Sequence, residues 1–295
     1  MTEQEIINKL REEEALIHDA YNRMSVLKED LANIKKGYKE ELGKEIVVLA
    51  QEPFLSIEGE SLRQGEPTIF LRFLGCNLRC QSDIYLDCHC DSEYTFKEGP
   101  DTVRYNISDL VKKLDSLECE NLSITGGEPL INKGLYKFLE YIYEEDPEYD
   151  RLSCKYRISI ETNGSVDISE IKNLYPYIHI IGDWKCRVAF GENANKAMIR
   201  NNLRLYRMND ALKFVVTKDD FDEVIEVLEK SGVYKKTNIY ISPAWGCVDL
   251  KDVVDFVIEN RKYGLNLSIQ QHKLFNLKAK ELMEVGKTSA EDIWL

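Results

Sequence analysis

The chain has 295 residues, 43% of them hydrophobic, enough to bury a sizeable core as one large domain or two small ones. Its 39 basic and 52 acidic residues leave a formal charge of −13, which argues against an extended phosphate-binding face and so against a nucleic-acid partner. No run nears the roughly 20 apolar residues that span a bilayer, and the first residues are charged rather than built like a secretory signal, so a cytoplasmic protein with no membrane partner is expected.

Residues 3–42 are rich in Glu and Lys and contain no Pro, and Leu10, Ile17, Met24, Leu31 and Tyr38 recur every seven residues. Ala20, Leu27 and Ile34 follow three positions after the middle ones. The spacing predicts a long amphipathic helix or helical hairpin, either lying on the rest of the chain or joining a coiled coil, with Gly43 as its stop. Residues 1–44 are therefore read as an N-terminal helical extension and 45–295 as the main domain.

From there, β-type runs at 69–74, 121–125, 157–161, 178–181, 212–216, 238–241 and 265–269 alternate with amphipathic segments at 136–144, 194–205, 221–230 and 250–261. Such alternation predicts parallel strands in a barrel or open sheet. The unusual residues fall just after these runs: Cys76, Gly126-Gly127-Glu128, Thr162-Asn163-Gly164, Asp183-Trp184-Lys185, Pro243-Ala244-Trp245 and Gln271-His272-Lys273. In parallel α/β folds the C-terminal strand ends form the active face, so the clusters are expected to meet at one rim.

Four of eight cysteines crowd into residues 76–90, whereas Cys119, Cys154, Cys186 and Cys247 are scattered. Metal ligation plus ordinary thiols accounts for this better than a disulfide framework. Thiolates on one loop can wrap an iron-sulfur cluster and leave one iron open to a small molecule. A zinc site of Cys88, His89 and Cys90 has the right atom types, but adjacent residues wrap a tetrahedral ion poorly. Arg72, alone in the apolar run IFLRFL, needs an anionic partner, either a ligand or a structural carboxylate.

The run GCNLRC at 75–80, Cys90-Asp91-Ser92, Thr125-Gly126-Gly127-Glu128-Pro129, Phe54 to Glu60, Glu161-Thr162-Asn163-Gly164 and Gln270-Gln271-His272-Lys273 resemble the 7-carboxy-7-deazaguanine synthase family of the radical S-adenosylmethionine superfamily. The resemblance implies an α/β fold, a partial (β/α)6 TIM-type barrel. It also implies a lyase that turns 6-carboxy-5,6,7,8-tetrahydropterin into 7-carboxy-7-deazaguanine, a queuosine precursor, by radical ring contraction with loss of ammonia. The cofactors would be a [4Fe-4S] cluster, S-adenosyl-L-methionine and Mg2+, with an electron donor such as flavodoxin or ferredoxin, in a homodimer.

Carried over by position, Cys76, Cys80 and Cys90 would hold the cluster and Ser92 the Mg2+, although Ser92 also reads as a turn or capping serine. The family's third cysteine comes three residues after the second and here comes ten later, so Gln81 to Asp87 read as an insertion and Cys88 competes with Cys80 for the middle position. His89, Asp91, Gly127, Glu128, Asn163, Asp183, Trp184, Lys185, Ser242, Pro243 and Ala244 would contact S-adenosylmethionine, with Glu128 on its amino group. Ile57, Glu58, Gly59, Arg72, Thr125 and His272 would line the pterin site, and Arg72 suits a carboxylate. His272 reads equally as a core histidine. Two departures stand out: Glu58 replaces the family's usual Gln, and about 22 residues follow Lys273. Competing functions are an activase that takes hydrogen from a partner protein and a non-catalytic metal-binding scaffold.

Overall fold

The computed structural model describes residues 3–146 and 151–271, and these form two units, Met1–Glu45 and Ile46–Leu295. The first unit is one unbroken helix, α1 (Glu3–Leu42), rather than a hairpin. No Pro or mid-helix Gly pair interrupts it, and the backbone continues to Leu42 before Gly43 turns the chain.

The second unit is built on a ten-stranded sheet. In chain order its elements are β1 (Ile46–Leu49), β2 (Phe54–Ile57), β3 (Pro67–Phe73), β4 (Val103–Asn106), α2 (Ile107–Asp115), β5 (Asn121–Gly126) and α3 (Lys133–Ile142). A small hairpin follows, β6 (Glu144–Asp146) with β7 (Arg151–Ser153), separate from the main sheet. Then come β8 (Arg157–Thr162), α4 (Ser169–Leu174), β9 (His179–Trp184), three short helices α5 (Arg187–Phe190), α6 (Glu192–Lys196) and α7 (Asn202–Leu205), β10 (Ala211–Val216), α8 (Phe221–Ser231), β11 (Asn238–Pro243), α9 (Leu250–Glu259) and β12 (Leu265–Leu267).

The strand order is β12-β11-β10-β9-β8-β5-β3-β1-β4, with β2 also on β3. Every pairing from β3 to β12 is parallel, and β1, β2 and β4 form an antiparallel edge. All seven anticipated strands are present, and the antiparallel edge is an addition. No strand pair closes the sheet among the described residues, yet its two flanks approach. Gln64 Nε2 donates to Ile269 O at 3.0 Å, Gln270 Nε2 to Glu60 Oε1 at 2.7 Å and Gln271 N to Gly59 O at 3.3 Å. The result is the expected partial barrel.

Period-two alternation decides what each strand face does. Ile69, Leu71 and Phe73 of β3 are fully buried in the core, as are Phe214 and Val216 of β10. Helices α2, α3, α8 and α9 add Leu110, Leu114, Phe138, Val224, Leu228 and Val253 to this layer. Each such side chain is worth about 1.5–3 kcal/mol when fully buried. The alternate residues, Phe70 and Arg72 of β3 and Lys213 and Val215 of β10, face the barrel interior. Helix ends are fixed locally: Asn132 caps α3 through Gly134 N at 2.9 Å, Asp249 caps α9 through Lys251 N at 2.8 Å, and Gly232 at φ 65° ends α8. Among the described residues no helix is long and apolar enough to cross a membrane.

Candidate active site

A cavity of about 870 Å³ opens at the C-terminal strand ends. Its lining holds most of the residues singled out by sequence: Ile57, Glu58, Gly59, Arg72, Thr125, Cys76, Cys80, Cys88, His89, Cys90, Asp91, Ser92, Gly127, Asn163, Asp183, Lys185 and Ala244. Glu128, Trp184, Ser242 and Pro243 are buried but do not line it. His272 lies outside the described residues.

The cysteine loop leaves β3 and folds back on itself. Cys90 N donates to Cys80 O at 3.1 Å, Ser82 N to Cys88 O at 2.8 Å, and Gln81 bridges to His89 in antiparallel fashion. The inserted residues thus close into a folded flap and return Cys90 to Cys80. Tyr85 at the flap's turn donates its hydroxyl to Asp219 at 2.8 Å, and Gln81 N donates to Phe190 O at 3.2 Å. The four thiols are not equivalent. The electrostatic neighbours of Cys80 include Cys90 and Cys76, and Cys76 also acts on Cys90. Cys88 turns its thiol to Ala189 O in α5, 3.3 Å away.

Burial pushes the Cys80 thiol up to about 11, and burial likewise raises Cys90. A metal that binds there must displace protons that burial holds more tightly, so binding is coupled to their release. Leu78 N at 3.4 Å and Asn163 Nδ2 at 3.7 Å already point at Cys76 Sγ, as amides do around a thiolate.

The glycines of the β5 turn act first through packing. Gly126 has φ 135°, and a Cβ on Gly127 would meet Gly75 O and come within 2.6 Å of Cys76 Cβ. Only glycine lets the end of β5 lie against the cysteine loop. Glu128 beside them is fully buried, with its oxygens taken by Leu130 N at 3.1 Å, Thr162 Oγ1 at 2.9 and 3.0 Å, and Asn163 N at 2.6 Å. Burial pushes this carboxyl up to about 7, against those hydrogen bonds. These hydrogen bonds tie the end of β5 to the end of β8 and position Asn163. Trp184 points to the outer face of β9, its Nε1 donating to Glu223 at 2.9 Å.

The deep wall is charged. Glu58 is 3% exposed, and burial with Glu161 nearby pushes its carboxyl up to about 8. Among the described residues its Oε2 has no hydrogen-bond partner, nor does Arg72 Nε. The Arg72 guanidinium lies 6.0 Å and 5.8 Å from the rings of Phe54 and Phe70, which stack on each other at 5.3 Å. Thr125 Oγ1 donates to Glu161 at 3.0 Å. Sequence reading missed Glu60, Glu161, Lys213 and Gln270, all of which line the cavity. Lys213 Nζ lies 3.1 Å from Glu60 and 3.7 Å from Asp183, and Lys185 Nζ lies 2.8 Å from Asp183. Burial works to lower the Lys213 ammonium, but Glu60 and Asp183 outweigh it and hold the group well above the ordinary lysine range. The signal was available: Lys213 interrupts the apolar run ALKFVV as Arg72 interrupts IFLRFL.

Comparison with known proteins agrees with this geometry. Residues 57–197 match the family described as a 4Fe-4S single cluster domain. A 7-carboxy-7-deazaguanine synthase of Clostridium acetobutylicum is 30% identical over 224 residues, 76% of this chain and 93% of that protein. One of Methanospirillum hungatei is 32% identical, covering 77% and 84%. The crystal structure of QueE from Escherichia coli superposes with a TM-score of 0.56 at 18% identity, covering 79% of this chain and 97% of that one, and shares the fold. With thiols, glycine turn and charged wall at one rim, and with that identity sustained over nearly the full length of a relative, this chain belongs to the 7-carboxy-7-deazaguanine synthase family.

Proposed function

We propose that this chain carries out its family's reaction, converting 6-carboxy-5,6,7,8-tetrahydropterin to 7-carboxy-7-deazaguanine with loss of ammonia, in the cavity at the strand ends. The observation that carries the reading is one cavity that holds four cysteines of a single loop together with a buried carboxyl and a guanidinium whose Oε2 and Nε atoms have no hydrogen-bond partner among the described residues. The thiol set fits a [4Fe-4S] cluster on Cys76, Cys80 and Cys90. When bound, that cluster and S-adenosylmethionine supply a radical able to take a hydrogen atom from the substrate.

The chain's own residues bind, orient and shield. Arg72, held between a stacked aromatic pair and the cavity, suits the pterin carboxylate. Glu58 suits the ring N–H and amine donors of the heterocycle, with Thr125 and the backbone of Ile57 and Gly59 beside it. Asn163, Asp183 and Lys185, with His89, Asp91, Gly127 and Ala244 around them, suit the polar groups of S-adenosylmethionine. Ser92 Oγ, 3.1 Å from Asp91 Oδ1, offers Mg2+ hard oxygen ligands. Burial of Glu58 and partial burial of Lys213 and Asp183 strengthen each of these contacts. A flavodoxin- or ferredoxin-type electron donor, a homodimeric state and a cytoplasmic location complete the reading.

The test is anaerobic turnover of the reconstituted, reduced enzyme with S-adenosylmethionine and Mg2+, with and without 6-carboxytetrahydropterin, followed by mass spectrometry. Substrate-dependent 7-carboxy-7-deazaguanine is expected. Release of 5′-deoxyadenosine indifferent to the pterin would discard the substrate and keep the radical chemistry, and absence of bound iron would discard both.

A further inference from the structure

We infer that Lys213 is a positioning residue for both ligands of the reaction proposed above, holding Asp183 on the cofactor side and Glu60 on the substrate side. Which ligand lies on which side rests on that reading. Lys213 comes from β10, where the parallel register sets it directly beside Asp183 of β9. Its Nζ donates to Glu60 Oε2 at 3.1 Å and lies 3.7 Å from Asp183 Oδ2. All three side chains are 18% exposed or less, so water screens these pairs weakly.

Glu60 lies in the turn between β2 and β3, beyond the last paired residues Ile57 and Pro67. The same turn carries Glu58 and Gly59 into the cavity. Gln271 N holds Gly59 through its carbonyl, while the Glu60 side chain is held on both oxygens, Oε1 by Gln270 Nε2 at 2.7 Å and Oε2 by Lys213. Among the described residues Lys213 makes the only ion pair to Glu60. Ser61, next in the turn, has φ 65°, a left-handed conformation that a side chain disfavours and that persists only where neighbours impose it. Releasing Glu60 therefore lets the turn relax and carries Glu58 away from its place.

On the other side, Asp183 Oδ2 accepts from Lys185 Nζ at 2.8 Å, and Oδ1 is buried with no hydrogen-bond partner among the described residues. Two ammonium groups near one oxygen fix the carboxylate and leave the other oxygen for a hydroxyl or amine of a ligand. Lys185 is itself braced 4.3 Å from the centre of the Phe190 ring. Without the Lys213 charge, two buried carboxylates that now share one ammonium repel each other, and both lose their fixed orientation. Loss of Glu60 or of Asp183 disturbs one side, whereas loss of Lys213 disturbs both.

Calorimetric binding to the full-length, cluster-loaded chain tests it, with the cluster kept oxidised so that nothing turns over. S-adenosylmethionine is titrated alone, and 6-carboxytetrahydropterin in its saturating presence. Lys213→Met should weaken both about tenfold or more, Glu60→Gln the pterin alone and Asp183→Asn S-adenosylmethionine alone. Adding Glu60→Gln to Lys213→Met should cost the pterin no further affinity, because both changes break one contact. Unchanged affinity for S-adenosylmethionine in Lys213→Met, or pterin losses that add in the double variant, would overturn the proposal. Should Lys213→Met not load its cluster, the two single-partner variants decide, and loss of both ligands in each would reduce the network to general packing. A wild type that binds S-adenosylmethionine but not the pterin overturns the substrate reading and the Glu60 arm with it, while Lys213→Met and Asp183→Asn still decide the cofactor arm.

Discussion

Two buried ionic groups sit on the main sheet, one before β10 and one in the cavity, and they are built differently. At the N-terminal end, just before β10, Lys172 Nζ lies 2.9 and 2.8 Å from the two oxygens of Asp210, with side chains 3% and 1% exposed. Asp210 also accepts from Ile180 N at 2.9 Å and Arg207 N at 2.7 Å. In the cavity, Glu58, Arg72, Asp183 and Gln270 each keep a buried polar atom with no partner among the described residues. Burial alone does not mark function. A closed pair holds the fold, whereas converging groups with unfilled hydrogen-bonding capacity sit where a ligand completes them.

The largest effects are expected at the thiols. Cys76→Ser, Cys80→Ser and Cys90→Ser should each prevent assembly of the full cluster and lower activity by about 1,000-fold or more, while Cys88→Ser should keep its iron and stay within a few-fold of wild type. Iron analysis and the visible spectrum of the reconstituted variants decide it. A Cys88→Ser variant without iron, beside an iron-loaded Cys80→Ser, would exchange the two assignments.

Next is the closed pair itself. Lys172→Met leaves Asp210 buried without its cation and should cost about 3–5 kcal/mol in denaturant unfolding. Burial already lowers the Lys172 ammonium, and Asp210 opposes that and so supports the charge. At temperatures where the variant stays folded its turnover should match wild type, whereas a selective loss of turnover would make the N-terminal end part of the site. The open group should respond in the reverse manner. Arg72→Lys preserves charge but loses the planar fork beside Phe54 and Phe70, so kcat/KM for the pterin should fall about 100-fold with stability nearly unchanged. A variant that instead unfolds more readily would assign Arg72 to the structure.

Much of this contrast was legible in the sequence, unevenly. The parallel strands other than β12 are largely buried on both faces and therefore read as apolar runs, but β1, β2 and β4 form a mixed edge whose short, half-exposed segments resemble loops. Residues 194–205 have helical composition yet break into α6 and α7, because buried Asn202 turns its amide to Val166 O at 2.7 Å and Gly164 O at 3.4 Å and takes Ile168 N at 3.3 Å. Arg72 was flagged by its apolar neighbours, and Lys213, in the same setting, was not. Glu128 was recognised by its motif, but whether its side chain faced a ligand or the scaffold depended on Thr162 and Asn163, which sequence does not place.

Glu58 carries the subtlest consequence of the open group. Its ordinary value is 4.5, and burial with Glu161 beside it pushes the folded-state value up to about 8. Below pH 4.5 both the folded and unfolded chains hold the proton, and the contribution to stability is complete. Between 4.5 and 8 the folded chain keeps a proton that the unfolded chain has released, so stability falls as pH rises through that window and the contribution is gone above it. Glu58→Gln cannot titrate and restores the residue the family commonly has. Unfolding measured at pH 5, 7 and 9 should therefore show the variant gaining on wild type with pH, by a few kcal/mol at most given about 1.4 kcal/mol per pKa unit. Parallel stability profiles for the two proteins would mean that Glu58 is ionised throughout, and that the cavity already supplies it with a cation before any ligand arrives.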